Sequence, residues 1–162
     1  MTVVVGFYTP THYGIAADSG AFEDTGLKIQ SAEAKCWKAG NALVGGSGSF
    51  RAIEVARKSG LADPYALRDR LAEANVGGEW AILVVHPKQI WEIDDSFSVI
   101  KVKQNYSAVG AGDAVAIGAL AIAVEFVEPY RVLHHVMKVA GLHSQYVAPP
   151  FTTILKALGE QK

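Results

Sequence analysis

Two rhythms of hydrophobic and polar positions divide the chain. Residues 2–8, T-V-V-V-G-F-Y, are β-branched and aromatic and predict a strand. Thr9-Pro10-Thr11-His12 has turn chemistry, and residues 13–18 predict a second strand whose small alanines allow close packing. Residues 19–31 contain Gly20, Asp24 and Gly26 and predict an irregular loop. Residues 35–39 and 42–45 predict a hairpin about Gly40-Asn41, a pair that tolerates positive φ. A glycine-rich loop, residues 45–49, leads into residues 50–58, where Phe50, Ile53, Val55 and Ala56 recur at helical spacing. Gly60 stops that helix, and Asp63-Pro64 starts another over residues 64–74.

The second half again runs from strands to helices, without an internal repeat. Gly77-Gly78 breaks the chain before three strands of a meander, residues 80–85, 89–93 and 98–102. A short strand, residues 106–109, runs through Gly110-Ala111-Gly112 into an apolar helix over residues 113–127. Pro129 starts a further helix, to about residue 145, and Pro149-Pro150 separates it from a last strand, residues 151–156. Strands, two helices, strands, two helices and a strand indicate an α+β fold with helices layered on sheets.

Composition adds limits. The 162 residues fit one domain, residues 1–162, with a sizeable core, and 50% apolar against 19% charged residues describe a folded soluble chain. A net charge of −1 gives no basic surface for nucleic acid or a membrane. The single cysteine, Cys36, excludes an internal disulfide and fits a reducing, cytoplasmic setting. The N-terminus lacks the basic and long apolar regions of a signal peptide, and the apolar run 114–127 falls short of the roughly 20 residues that span a bilayer. His12, His86, His134, His135 and His143 are scattered without metal-ligand spacing, so no metal or cofactor is expected. Val115 stands where a dinucleotide fingerprint needs its third glycine, and no phosphate-binding loop motif occurs.

Candidate chemistry gathers near the start. Removal of Met1 exposes Thr2, which then carries a nucleophilic hydroxyl and a possible base, its α-amine, in one residue. The first hairpin can return Asp18 to Thr2. In K-C-W-K-A, alternation pairs Lys35 with Trp37; if Trp37 faces the core, Lys35 faces inward and needs a carboxylate such as Asp18. Taken alone, Lys35 at a sheet edge with its head in water is the simpler reading.

Thr2, Asp18, Lys35 and the Val44-Gly45 loop together resemble the proteasome β subunit and the bacterial HslV peptidase. T-V-V-V-G, A-A-D-S, L-V-G-G-S-G-S and A-V-G-A-G-D-A-V follow the order and spacing of that family's motifs over nearly the whole chain. The resemblance implies a four-layer αββα sandwich of the N-terminal-nucleophile (Ntn) hydrolase type. It implies a threonine peptidase, with Thr2 as nucleophile, Lys35 tuning it, Asp18 holding Lys35, and the Gly45 N–H donating to an oxyanion. Ala21, Gln30 or Ser31, and Gly46, Ser47, Gly48 and Ser49 are the implied pocket walls. It further implies a homo-oligomeric, stacked ring acting on protein or peptide substrates, fed by a separate ATP-dependent unfoldase. Ala111 stands where the family has a serine and Leu142 where it has an aspartate, and Glu33 competes with Lys35 under ungapped counting. A proteasome-like structural subunit and a small-molecule amidase are the alternatives.

Overall fold

The computed structural model describes residues 2–22, 28–30 and 34–159, with the backbone alone for 20–22 and 28–30. The elements are β1 (Val3–Tyr8), β2 (His12–Asp18), β3 (Gly20–Phe22), β4 (Lys28–Gln30), β5 (Cys36–Ala39), β6 (Ala42–Gly48), α1 (Phe50–Ser59), α2 (Pro64–Glu73), β7 (Trp80–His86), β8 (Gln89–Asp94), β9 (Val99–Val102), β10 (Tyr106–Gly110), α3 (Asp113–Phe126), α4 (Pro129–His143) and β11 (Phe151–Ala157). One antiparallel sheet has the order β10-β1-β2-β11, the other β5-β6-β7-β8-β9, and β3 pairs with β4.

Strand alternation builds the layers. Val4, Ile15, Cys36, Leu43, Leu83 and Val109 interdigitate between the two large sheets. Val3, Val5 and Phe7 face the other way and pack under Leu120, Val136 and Met137 of α3 and α4. Val44, Ile82 and Val84 meet Ala52, Leu67 and Leu71 of α1 and α2. Helix, sheet, sheet, helix is therefore the αββα sandwich. Asp63 caps α2 by accepting the Ala66 N–H at 2.8 Å, and Gly60 ends α1 in the left-handed conformation at φ 64°.

Two expectations change. Within the stretch expected to be irregular, β3 and β4 form a short hairpin, with Ala21 opposite Ile29. The expected glycine-rich loop is strand as far as Gly48. Its glycines serve close packing: a Cβ at Gly45 would lie 2.6 Å from Val4, and one at Gly46 would lie 2.8 Å from Ile53 and from Ile82.

Candidate active site

Three polar side chains meet at the start of β1, inside the molecule. Thr2, Asp18 and Lys35 are 4%, 1% and 3% exposed. The Lys35 ammonium donates to the Thr2 hydroxyl and lies 4.0 Å from Asp18 Oδ1. The same Asp18 oxygen accepts the Val3 N–H at 3.1 Å, so one carboxylate ties the end of β2 to the start of β1 and faces the lysine. Burial pushes the Lys35 pKa below the usual lysine value, and the Asp18 charge opposes that shift.

Backbone contacts fix each member. The Thr2 carbonyl accepts the Ala111 N–H at 2.9 Å, which anchors the start of β1 to the turn after β10. At that turn Gly110 has φ 103°, and a Cβ there would lie 2.0 Å from the Thr2 carbonyl oxygen. The Ser19 N–H donates to Pro150 at 3.2 Å, beside Asp18. Lys35 sits in the bend before β5, so strand alternation does not set its direction, and Trp37 packs with the helix-side layer rather than between the sheets. The Phe50 ring, 55% exposed at the start of α1, has its centroid 5.8 Å from the Lys35 nitrogen.

The Gly45 N–H has a different direction from the expected one. Gly46 donates to the Lys35 carbonyl at 2.9 Å, and Ser49 donates to the Glu79 carbonyl at 3.0 Å. Alternate N–H groups along β6 therefore point to β5 and to β7 in turn. Gly45 lies opposite Leu83 in the set facing β7, so its N–H belongs to the ladder. The same alternation turns the Gly48 N–H toward the Lys35 side.

A cleft of about 480 Å³ opens beside Thr2. Ser47, Gly48, Gly110 and Ala111 line it with Glu79, Trp80, Ala81 and Asp95. Ser47 and Gly48, two of the implied pocket walls, are among the residues lining this cleft. Gly46 instead packs under α1, and Ser49 is the N-cap position of that helix. The Ala21 and Gln30 side chains, Ser31 and Glu33 lie outside the described residues. Leu142 is exposed on α4, and the Ser144 hydroxyl accepts the Tyr146 N–H at 3.4 Å. Glu79, Trp80, Ala81 and Asp95 carry no motif; only the stacking of the two sheets brings their loops to Thr2. Among the described residues no group of three His, Cys, Asp or Glu could hold a metal ion, and no helix is long and apolar enough to cross a membrane.

No protein-family model matches the sequence, and no curated protein matches it. Among solved structures, Thiobacillus denitrificans BPH in complex with epoxomicin superposes with a TM-score of 0.80 at 16% identity, over 96% of this chain and 98% of that one. A second structure of Thiobacillus denitrificans BPH gives 0.76 at 19% identity, over 99% and 100%. HslV from Trypanosoma brucei gives 0.77 at 13% identity, over 94% and 98%. The chain has the fold of these HslV- and proteasome-like proteins.

Proposed function

We propose that the chain is a threonine peptidase acting through Thr2 after removal of Met1. The observation that carries the reading is the buried contact of the Lys35 nitrogen with the Thr2 hydroxyl, backed by Asp18, beside an open cleft. Lys35, eased toward its neutral form by burial, takes the Thr2 Oγ proton as Oγ bonds to the substrate carbonyl carbon. The proton passes through the freed Thr2 amine to the leaving nitrogen, the C–N bond breaks, and an ester to Thr2 remains. Water then adds to that ester, gives its proton to the amine, and releases the acid as Oγ is reprotonated. Asp18 holds Lys35 in place. Gly48, rather than Gly45, supplies the N–H for the oxyanion, a contact worth about 3 kcal/mol in such sites.

Support for a protein-degrading role comes from the fold shared with HslV-like peptidases. The proposed working form is a homo-oligomeric stacked ring with a separate ATP-dependent unfoldase, in the cytoplasm. The test is hydrolysis of an unfolded protein by the purified chain. Activity that falls on the order of 10³-fold or more in Thr2→Ala supports the reading. Equal turnover by wild type and Thr2→Ala removes Thr2 from the chemistry. Ala111, in place of a serine beside Thr2, favours the structural-subunit alternative, for which a wild type free of any hydrolysis is the expected outcome.

A further inference from the structure

We propose that the cleft beside Thr2 selects substrates carrying a cationic side chain, lysine or arginine, next to the bond that is cut. The inference deepens the peptidase reading and rests on it. Thr2 itself lines the cleft, so whatever fills the space lies against the nucleophile. The cleft flanks Thr2 on the side of β10 and β7, whereas Lys35 and Asp18 approach from β5 and β2. A peptide whose carbonyl sits at Thr2 Oγ must therefore send one of its two halves into this space.

The chemistry of the walls says which half-peptide fits. Gly48, Gly110, Ala111 and Ala81 leave the cleft wide, and at Gly110 the backbone itself forms the surface beside Thr2. Glu79 and Asp95 are its charged residues, and no lysine, arginine or histidine lines it among the described residues. The two carboxylates leave the same end of the neighbouring strands β7 and β8, where Ala81 pairs with Asp94. Glu79 precedes β7, where its carbonyl is held by the Ser49 N–H at 3.0 Å. Asp95 stands in the turn after β8. Asp94 Oδ1 closes that turn by accepting the Ser96 and Ser98 N–H groups at 3.0 and 3.1 Å. Trp80, which follows Glu79, packs edge-on against Phe97, two residues after Asp95, with ring centroids 5.5 Å apart, and links the two segments. A cation entering a cleft lined by both carboxylates gains from both, and an anion is repelled by both. Because Glu79 and Asp95 are solvent-exposed, the gain is that of surface pairs: selective, modest and weakened by salt.

The test separates binding from cleavage. Alanine-based octapeptides, each with one lysine or one norleucine at a different position, are titrated into the Thr2→Ala protein by calorimetry. At one position lysine is expected to bind about fivefold to tenfold more tightly than norleucine. That advantage disappears in Thr2→Ala/Glu79→Gln/Asp95→Asn and shrinks at 0.5 M salt, about three times the physiological ionic strength. Equal affinity of the lysine and norleucine peptides at every position, or an advantage that survives the double carboxylate replacement, overturns the proposal. A lysine advantage in binding with no cleavage by the Thr2-containing protein supports the cleft and sinks the peptidase reading alone.

Discussion

Burial strips the Lys35 ammonium of water, and the Asp18 carboxylate, 4.0 Å away, restores only part of that loss. The net effect lowers the lysine pKa below 10.5. The reaction rate is therefore expected to rise with pH as Lys35 loses its proton, with that step centred below 10.5, read from kcat/KM against pH. Asp18→Asn keeps an acceptor for the Val3 N–H but removes the charge that raises the lysine pKa, so it moves this midpoint further down. Stability follows the same sign. Between the folded pKa and 10.5 the unfolded chain binds the extra proton, so stability rises with pH across that window. Denaturant unfolding of Lys35→Met, measured across the same range, should lack this contribution. At this scale the sequence brought Thr2, Asp18 and Lys35 together through the family resemblance; chemical type and alternation alone left Lys35 at a sheet edge with its head in water. The route by which Lys35 turns inward was not legible: it lies in a bend, outside the alternation that a strand pattern predicts. Glu79 and Asp95 are ordinary surface carboxylates until the sheets stack.

Glycines at element ends set how closely the backbone can approach the site. Gly110 combines φ 103° with a would-be Cβ only 2.0 Å from the Thr2 carbonyl oxygen. Gly110→Ala is expected to lower stability by roughly 2–4 kcal/mol and to displace Thr2, so urea midpoint and activity fall together. Gly40→Ala is the matched control. Gly40 also has positive φ, 55°, but nothing lies within 4 Å, so only the backbone term of about 1 kcal/mol remains and activity is kept. Most elements were readable from periodicity and punctuation: Pro64, Gly60 and Pro129 mark helix ends where the structure has them. The glycine-rich stretch misled because glycine reads as loop in a sequence, whereas in β6 it serves to bring layers together. The direction of each N–H along β6 is a matter of register with β5 and β7, which no motif records.

The outer helical layer bears on assembly. α3 is apolar all round, yet only Ala116, Leu120 and Ala123 are buried in the chain. Ile122, Phe126 and Tyr130 stand 64%, 78% and 69% exposed along α3 and the start of α4, a surface suited to burial in an oligomer. The proposed ring predicts that Phe126→Ser with Tyr130→Ser reduces the sedimentation coefficient of the wild-type particle while circular dichroism is unchanged; equal sedimentation would place the contacts elsewhere. The layered fold was legible at this scale because the order of strands and helices restricts the stacking, whereas the cleft arises only when both sheets are in place. The central claim, a reactive Thr2 beside Lys35, is tested most directly by intact mass after incubation with epoxomicin, the compound bound in the BPH structure. As an epoxyketone, epoxomicin requires both the hydroxyl and the free amine of an N-terminal threonine. The account predicts a chain beginning at Thr2 that gains one inhibitor, with no gain in Thr2→Ala. A chain that still carries Met1 in every molecule and takes up no inhibitor would contradict it.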